Sequence, residues 1–303
     1  MAGAAAISAA TEKERRTDVP ALLAAGATVL LWASAFVGIR SAGRSFSPGA
    51  LSLGRLAVAL VALAAIGLVR GERFPARAQL RAAGPAVLVA GLLWFFAYNV
   101  ALNSGERRVD AGTAAMLVNI GPVLIAILAG LLLNEGFPRA LFVGCTVAFA
   151  GVVVIAVASS NHNRTTLGVL LCIAAALAYA GGVVSQKVAL RALSGTQTIF
   201  LCCAIGAAAC LPFAGELVRQ LGNAPGGSIG WLFYLGLAPT ALGFSTWAFA
   251  LRRTDAGRLA ATTYLVPPVS ILLGWLWLGE SPAPLAYAGG ALCLVGVALS
   301  RRR

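Results

Sequence analysis

Residues 110–135 read DAGTAAMLVNIGPVLIAILAGLLLNE, and residues 255–280 read DAGRLAATTYLVPPVSILLGWLWLGE. In each stretch an Asp-Ala-Gly triplet precedes about twenty mostly apolar residues, which contain a proline and end at a glutamate. The aspartate, the proline and the glutamate correspond at one offset of 145 residues. A helix needs roughly 20 apolar residues to cross a bilayer. The two stretches therefore predict a membrane-spanning helix that occurs twice in the chain.

The composition of the whole chain calls for lipid contact over most of its surface. Of the 303 residues, 59% are hydrophobic and 11% are charged, whereas soluble domains carry about 25% charged residues. Ten apolar stretches are long enough to predict transmembrane helices. They lie at about 20–40, 49–69, 84–103, 112–133, 140–158, 167–187, 196–214, 229–251, 257–278 and 284–300.

The distribution of basic residues predicts the orientation of these helices. The net charge is +13, but the basic residues lie in short connectors, without the interleaved aromatic residues of a nucleic-acid surface. If the chain starts in the cytoplasm, 16 of the 23 basic residues are cytoplasmic and six are external. Cytoplasmic loops are enriched in Lys and Arg. We therefore predict a multi-pass protein of the cytoplasmic membrane with both termini inside, in contact with the lipid bilayer and not with nucleic acid.

The correspondence between the quoted stretches extends along most of the chain. It continues through Gly144 with Gly289, and residues 32–40 correspond to residues 179–187 at an offset of 147. Each unit contains five predicted helices, an odd number, so the second unit enters the membrane in the opposite direction. We therefore predict an all-α integral membrane protein of ten transmembrane helices in two inverted five-helix repeats. Its predicted segments are a disordered cytoplasmic tail at 1–19 and repeats at 20–158 and 167–301.

Three features together resemble the EamA family of the drug/metabolite transporter superfamily. They are the paired five-helix units, the Trp-x-Ser-x-Phe sequence at residues 32–36, and the proline that leads to a terminal glutamate in each unit. The resemblance covers roughly residues 21–301. Asn134 departs from it, because a glycine usually precedes this glutamate. The resemblance implies a ten-helix exporter of amino acids, other small metabolites or drugs, with both termini in the cytoplasm.

The sequence offers no residues for a metal centre or a nucleotide. His162 is the single histidine, and the six cysteines lie in apolar stretches without a Cys-x-x-Cys pair, so we predict no bound metal. No phosphate-binding loop is present, so we predict no nucleotide cofactor. All ten Asp and Glu residues lie in the tail, the connectors or the helix ends, which argues against a membrane-embedded enzyme.

Polar and aromatic residues inside the predicted helices are the candidates for substrate binding. Asn119 and Tyr264 correspond at the offset of 145 and precede Pro122 and Pro267 by three residues. A proline leaves the carbonyl four residues before it without its helical partner, so we predict hinges at these prolines and at Pro268. Further aromatic residues are expected to gather with Tyr264 near mid-membrane, with lipid or core packing as the alternative. They are Trp32, Trp94, Tyr98, Tyr179 and Trp247.

Charged residues near helix ends leave two interpretations open. Glu135 and Glu280 end corresponding helices, and each either gates transport or contacts an arginine or a neighbouring helix N-terminus. Arg55 lies about two turns inside its helix. We expect its side chain to extend to the lipid headgroups, with attraction of a substrate carboxylate as the alternative.

Small residues recur at helical spacing in the fifth and tenth predicted helices, where they permit close helix approach. They are Gly144, Ala148 and Gly151, and then Gly289, Cys293 and Gly296. They predict tight packing, and a homodimer through these two helices is a further prediction.

Together these features favour a secondary transporter that exports amino acids or related small metabolites by alternating access. Its partner is then a small-molecule substrate. A carrier of drugs or lipophilic cations is the alternative in the same class, although it calls for a membrane-embedded carboxylate that the sequence lacks. A non-transport structural or receptor protein is the alternative from another class.

Overall fold

The computed structural model describes residues 18–108, 117–158, 165–278 and 284–302, and every regular element in these ranges is a helix. The predicted tail before residue 18, the triplet at 110–112 and Glu280 lie outside them. The α-helices are α1 Val19–Ala42, α2 Pro48–Val69, α3 Arg77–Ala90, α4 Asn99–Glu106, α5 Gly121–Leu132, α6 Arg139–Ala158, α7 Thr166–Ala189, α8 Gly195–Ala209, α9 Ala214–Asn223, α10 Gly226–Leu235, α11 Gly243–Arg253, α12 Ala256–Ala261, α13 Val266–Leu278 and α14 Pro284–Ser300. Two π-helical segments, π1 Gly91–Tyr98 and π2 Gly236–Leu242, join α3 to α4 and α10 to α11.

Seven helical spans in the described residues are long and apolar enough to cross a membrane. An eighth results if α8 and the segment Leu211–Asn223, which meet at 55°, count as one span. Two further apolar helices, α5 and α14, are shorter. Most helix bounds agree with the predicted stretches within a few residues. The predicted 84–103 lies inside the longer span Arg77–Gly105, and the predicted 196–214 becomes α8, Gly195–Ala209, with a bend after it. The predicted 112–133 becomes the shorter α5, Gly121–Leu132, and its first residues lie outside the described ranges. The chain is therefore an all-helical, multi-pass membrane protein.

Polar side chains connect the helix ends in two layers. In one layer the Ser194 hydroxyl donates to the carboxylate of Glu72 at 2.6 Å, which joins the start of α8 to the connector after α2. In the other layer the backbone N–H of Ser47 donates to Gln220 Oε1 at 2.9 Å, which joins the start of α2 to α9. Because α2 starts in one layer and ends beside the other, the two layers mark the two ends of the bundle.

The fifth and tenth predicted helices, α6 and α14, pack with their backbones in contact. A Cβ atom on Gly151 would lie 2.6 Å from the carbonyl oxygen of Gly289, and a Cβ on Gly289 would lie 2.7 Å from that of Gly151. The Cys293 thiol donates to the carbonyl of Ala148 at 3.5 Å. The small residues therefore serve a contact within one chain, as the predicted packing requires. The homodimer stays a prediction, because this contact joins two helices of the same chain.

Helix contacts in the first half have counterparts in the second half, at the same offsets of 145 and 147 residues that relate the two sequences. The segments π1 and π2 begin at glycines 145 residues apart, Gly91 and Gly236. A Cβ on Gly91 would lie 3.1 Å from the carbonyl oxygen of Cys202, and a Cβ on Gly236 would lie 2.9 Å from that of Arg55. Cys202 and Arg55 are themselves 147 residues apart. Each π segment thus packs on the second helix of the other half in the same manner.

Candidate functional site

Seven aromatic side chains from both halves of the chain form one group, which we call the central aromatic cluster. Its members are Trp32, Trp94, Phe95, Tyr98, Tyr179, Phe244 and Trp247. Trp94 lies at its centre, with ring centroids 4.9 Å from Phe244, 5.3 Å from Tyr179 and 5.9 Å from Trp32. Such offset and edge-to-face pairs are the favourable arrangements of aromatic rings. The cluster offers an apolar wall between the two halves.

Five of the six aromatic residues that the sequence singles out belong to this cluster. The sixth, Tyr264, makes no ring contact with them in the described residues and packs in a separate cluster with Cys145 and Cys293. Tyr264 therefore does not share in the ring contacts of the other five, and its place near mid-membrane stays a prediction. Its 3₁₀ segment, Thr262–Leu265, packs against α6 and α14. Sequence reasoning also missed Phe95, which directly follows Trp94, and Phe244, which precedes Trp247 by three residues.

Glycines give the central aromatic cluster room to assemble. A Cβ on Gly182 would lie 2.5 Å from the Cβ of Trp94, and a Cβ on Gly121 would lie 2.5 Å from the ring of Tyr179. The indole N–H of Trp32 donates to the carbonyl of Pro239 in π2 at 3.2 Å. These contacts place the rings against helix backbones, so the cluster depends on the approach of whole helices.

A buried polar cluster, which consists of Arg55, Asn99 and Thr240, adjoins these rings. Nε of Arg55 donates to Oγ1 of Thr240 at 3.0 Å, and Nη1 donates to Oδ1 of Asn99 at 3.5 Å. The Asn99 amide nitrogen donates in turn to the π1 carbonyls of Trp94 and Phe95. Arg55 is 8% exposed, so the expectation that it extends to the headgroups is wrong. Its side chain points into the bundle, where the π segments supply acceptors.

The predicted hinges lie at interruptions of the fourth and ninth predicted helices. Residues 119–120 form a turn, and α5 begins directly after it with Pro122 in its first turn. In the second half a 3₁₀ segment, Thr262–Leu265, precedes α13, whose first turn contains Pro267 and Pro268. Each of these prolines thus lies in the first turn of an α-helical segment, where its missing N–H costs little. In the second half one membrane span, Ala256–Leu273, continues through the 3₁₀ segment. The role of the prolines as hinges stays a prediction.

Glu135 contacts the N-terminus of a neighbouring helix. Its carboxylate accepts from the backbone N–H of Ala256 at 2.9 Å and of Gly257 at 3.3 Å, at the start of α12. This is the helix-end contact that the structural interpretation predicts. The preceding Asn134 has φ of 59°. Glycine and asparagine adopt this left-handed conformation most readily, which accounts for asparagine at the position where the family usually has glycine.

Lys187 lies at the same end of the bundle as Glu135 and contacts the C-terminus of α11. Its ammonium donates to the carbonyls of Leu251 and Thr254, both at 2.5 Å, at the C-terminus of α11. Cations stabilise the C-terminal end of a helix, and anions the N-terminal end. Glu135 and Lys187 therefore secure the short connection between α11 and α12.

Replacing Glu135 with glutamine is expected to destabilise the protein by roughly 1 kcal/mol, because a charged acceptor of two N–H groups becomes neutral. Thermal unfolding of the detergent-solubilised protein measures the change. Glu216→Gln is the matched control, since Glu216 contacts Gln220 of its own helix α9. Equal unfolding midpoints for the two variants would contradict the assignment.

Two clefts open at opposite ends of the bundle. One of about 550 Å³ is lined by Arg44, Ser45, Glu216, Arg219, Gln220, Asn223 and Ala224. The other, of about 520 Å³, is lined by Arg70, Glu72, Ser194, Gly195, Thr196, Ser245, Ala248, Phe249, Arg252 and Arg253. Neither cleft is lined by a residue of the central aromatic cluster or of the buried polar cluster.

Both the sequence and the fold of this chain are similar to those of known proteins. The profile of the EamA-like transporter family matches residues 19–157 and again residues 166–302. A Streptantibioticus cattleyicolor protein named "Probable terminal-alkyne amino-acid exporter" is 38% identical over 276 residues, which are 91% of each chain. A Salmonella typhimurium protein named "Probable amino-acid metabolite efflux pump" is 26% identical over 89% of this chain and 90% of its own.

A solved structure has the same fold. It matches with a TM-score of 0.78 at 22% identity, over 94% of this chain and 97% of its own. Because the family profile covers nearly the whole chain in two matches, the chain belongs to the EamA-like transporter family.

Proposed function

We propose that this protein is a secondary transporter that exports amino acids or related small metabolites across the cytoplasmic membrane by alternating access. The observation that carries the proposal is the position of the central aromatic cluster between the two halves of the chain. Trp32 and Trp94 come from the first half, and Tyr179, Phe244 and Trp247 from the second. Transporters built from inverted repeats bind substrate near mid-membrane at the interface between the repeats.

The proposed architecture has ten transmembrane helices in two inverted repeats, at 20–158 and 167–301, with both termini in the cytoplasm. The seven spans, the bent pair and the two shorter apolar helices together amount to ten. The matched contacts of Gly91 and Gly236 support the repeat. The excess of basic residues at one end of the bundle supports the orientation.

In the proposed cycle the two halves rock about the central aromatic cluster, so that the site opens first to the cytoplasm and then outward. The interruptions before Pro122 and Pro267 provide hinges in both halves. Asn119 and Tyr264 lie at these interruptions. The aromatic residues Trp32, Trp94, Tyr98, Tyr179 and Trp247 contact the substrate side chain, with the end clefts as the two vestibules.

Substrate specificity is proposed from the names of the relatives, both of which refer to amino acids. The test is efflux from liposomes that contain the purified protein and are preloaded with radiolabelled leucine, phenylalanine or propargylglycine, a terminal-alkyne amino acid. We expect at least one of them to leave faster than from protein-free liposomes. If none does, while tetraphenylphosphonium does leave faster, the protein is a cation carrier and the proposal is wrong.

A further inference from the structure

Arg55 is more than nine-tenths buried and has no anionic partner in the part of the chain that the structure describes. Its side chain is 8% exposed, and no carboxylate of the described residues lies within ion-pair distance of its guanidinium. A cation inside a transmembrane segment is costly, and such residues as a rule face a pathway or a partner of opposite charge. The structure therefore has a buried positive charge that an anion would neutralise.

The neutral contacts of Arg55 hold the guanidinium in place and leave part of it unused. Pro239 cannot donate to the carbonyl of Leu235 four residues before it, and Thr240 Oγ1 donates to that carbonyl at 2.7 Å instead. The hydroxyl proton of Thr240 is thereby committed, so its oxygen accepts from Nε of Arg55. Asn99 is oriented in the same way, because its amide nitrogen binds the π1 carbonyls.

A guanidinium has five N–H donors, and these two contacts use two of them. The three that remain belong to Nη1 and Nη2 of Arg55. Parallel donors on these two nitrogens match the two oxygens of a carboxylate.

The repeat provides an internal comparison, because the arrangement that corresponds to this polar cluster at the repeat offsets is apolar. At the repeat offsets Arg55 corresponds to Cys202, Thr240 to Phe95, and Asn99 to Phe244. Phe95 and Phe244 are in ring contact, with centroids 4.6 Å apart. The same helix crossing thus packs well without any charge. The polar residues Arg55, Asn99 and Thr240 are therefore not required by the packing of these helices.

We propose that Arg55 binds the carboxylate of the exported substrate. The remaining donors of its guanidinium hold the carboxylate, while Asn99 and Thr240 keep the guanidinium oriented. The substrate side chain extends toward Trp94 and Tyr98, since Asn99 is bonded to the Trp94 carbonyl and Tyr98 precedes Asn99 in the chain. This inference rests on the proposed export function, and it narrows the substrate class to carboxylates with an apolar side chain.

The first test uses the wild-type protein and needs no variant. Liposomes with the purified protein are preloaded with propargylglycine or with its carboxamide, which keeps the amine and the side chain but lacks the charge. We expect efflux of the acid to exceed that of the amide by roughly 30-fold, the effect of a charge-assisted hydrogen-bonded contact. Equal efflux of acid and amide overturns the carboxylate site, although it leaves the export function in place. Efflux of neither compound, nor of leucine or phenylalanine, contradicts the export function itself.

The second test asks whether Arg55 causes the preference for the acid over the amide. Arg55→Gln is expected to lower efflux of the acid by roughly 30-fold and to change that of the amide little, and Arg55→Lys is expected to recover part of the preference. Arg108→Gln is the control, because it removes an exposed cation near the start of α2 that lines neither cleft and contacts only the carbonyl of Ser104, four residues before it, among the described residues. If Arg55→Gln lowers the efflux of both compounds equally while the unfolding midpoint is unchanged, Arg55 has a structural role and the inference is wrong. The same conclusion follows if it lowers neither.

Discussion

Replacing Gly296 with leucine is expected to prevent formation of the folded transporter. A Cβ atom on Gly296 would overlap the backbone N and Cα of Ala148, and neither can move without separating α6 from α14. Overpacking of a rigid contact costs roughly 3 kcal/mol or more when no flexible side chain can yield. Helix association in lipid depends on close packing and not on a hydrophobic driving force, so the loss is not offset elsewhere. The measurement is the yield of monodisperse protein in detergent, with the thermal unfolding midpoint of what remains.

Gly26→Leu is the control for this substitution. Gly26 lies in the membrane helix α1, and a Cβ placed on it meets no atom within 4 Å. We expect the control to retain the yield and the midpoint of the wild type. A Gly296→Leu protein that behaves like the control would show that α6 and α14 are not packed by backbone contact.

Replacing Trp94 with alanine is expected to be the most damaging single change in the central aromatic cluster. The side chain is 2% exposed and contacts five other rings. Its removal leaves a cavity of roughly 130 Å³, which at about 24 cal/mol per Å³ costs about 3 kcal/mol. Efflux is expected to fall roughly tenfold or more, as the loss of an aromatic contact to the substrate would produce. The unfolding midpoint and amino-acid efflux are measured on the same protein.

Two other variants separate packing from substrate contact. Trp94→Phe keeps an aromatic ring and is expected to retain most of the stability, with an intermediate efflux rate. Trp275→Ala removes an indole that is 47% exposed on the outer surface of α13, and it is expected to change neither quantity. If Trp94→Ala and Trp275→Ala have equal effects, the central aromatic cluster is not the core of the site.

The membrane helices could be predicted closely because the signal for them is local. The stretch at 49–69 became α2, Pro48–Val69, and the stretch at 140–158 became α6, Arg139–Ala158. A run of about 20 apolar residues has few alternatives in a membrane, where the backbone must satisfy its own hydrogen bonds. The π segments left no comparable signal. They were visible only as two glycines at the repeat offset, Gly91 and Gly236.

The candidate site could be predicted in its residue types but not in its arrangement. Five aromatic residues do gather, whereas Tyr264 belongs to a different cluster. Arg55 was expected at the headgroups and lies inside the bundle. In a soluble helix, an amphipathic pattern reveals which face is buried. A membrane helix is apolar on all sides, since lipid and protein interior are equally apolar, so its sequence does not reveal which face turns inward.

The sequence alone determined three properties of this protein. They are the length and apolar character of the helices, the duplication at offsets of 145 and 147 residues, and the class of small-molecule exporter. These properties depend on short runs of residues and on their spacing along the chain. The tertiary structure decided which side chains meet. The ring contacts of Trp94 join residues far apart in sequence, and the bonds from Arg55 to Asn99 and Thr240 join three different helices. The two halves related by the repeat are thus unequal, since the first has a buried cation, Arg55, where the second has a cysteine, Cys202.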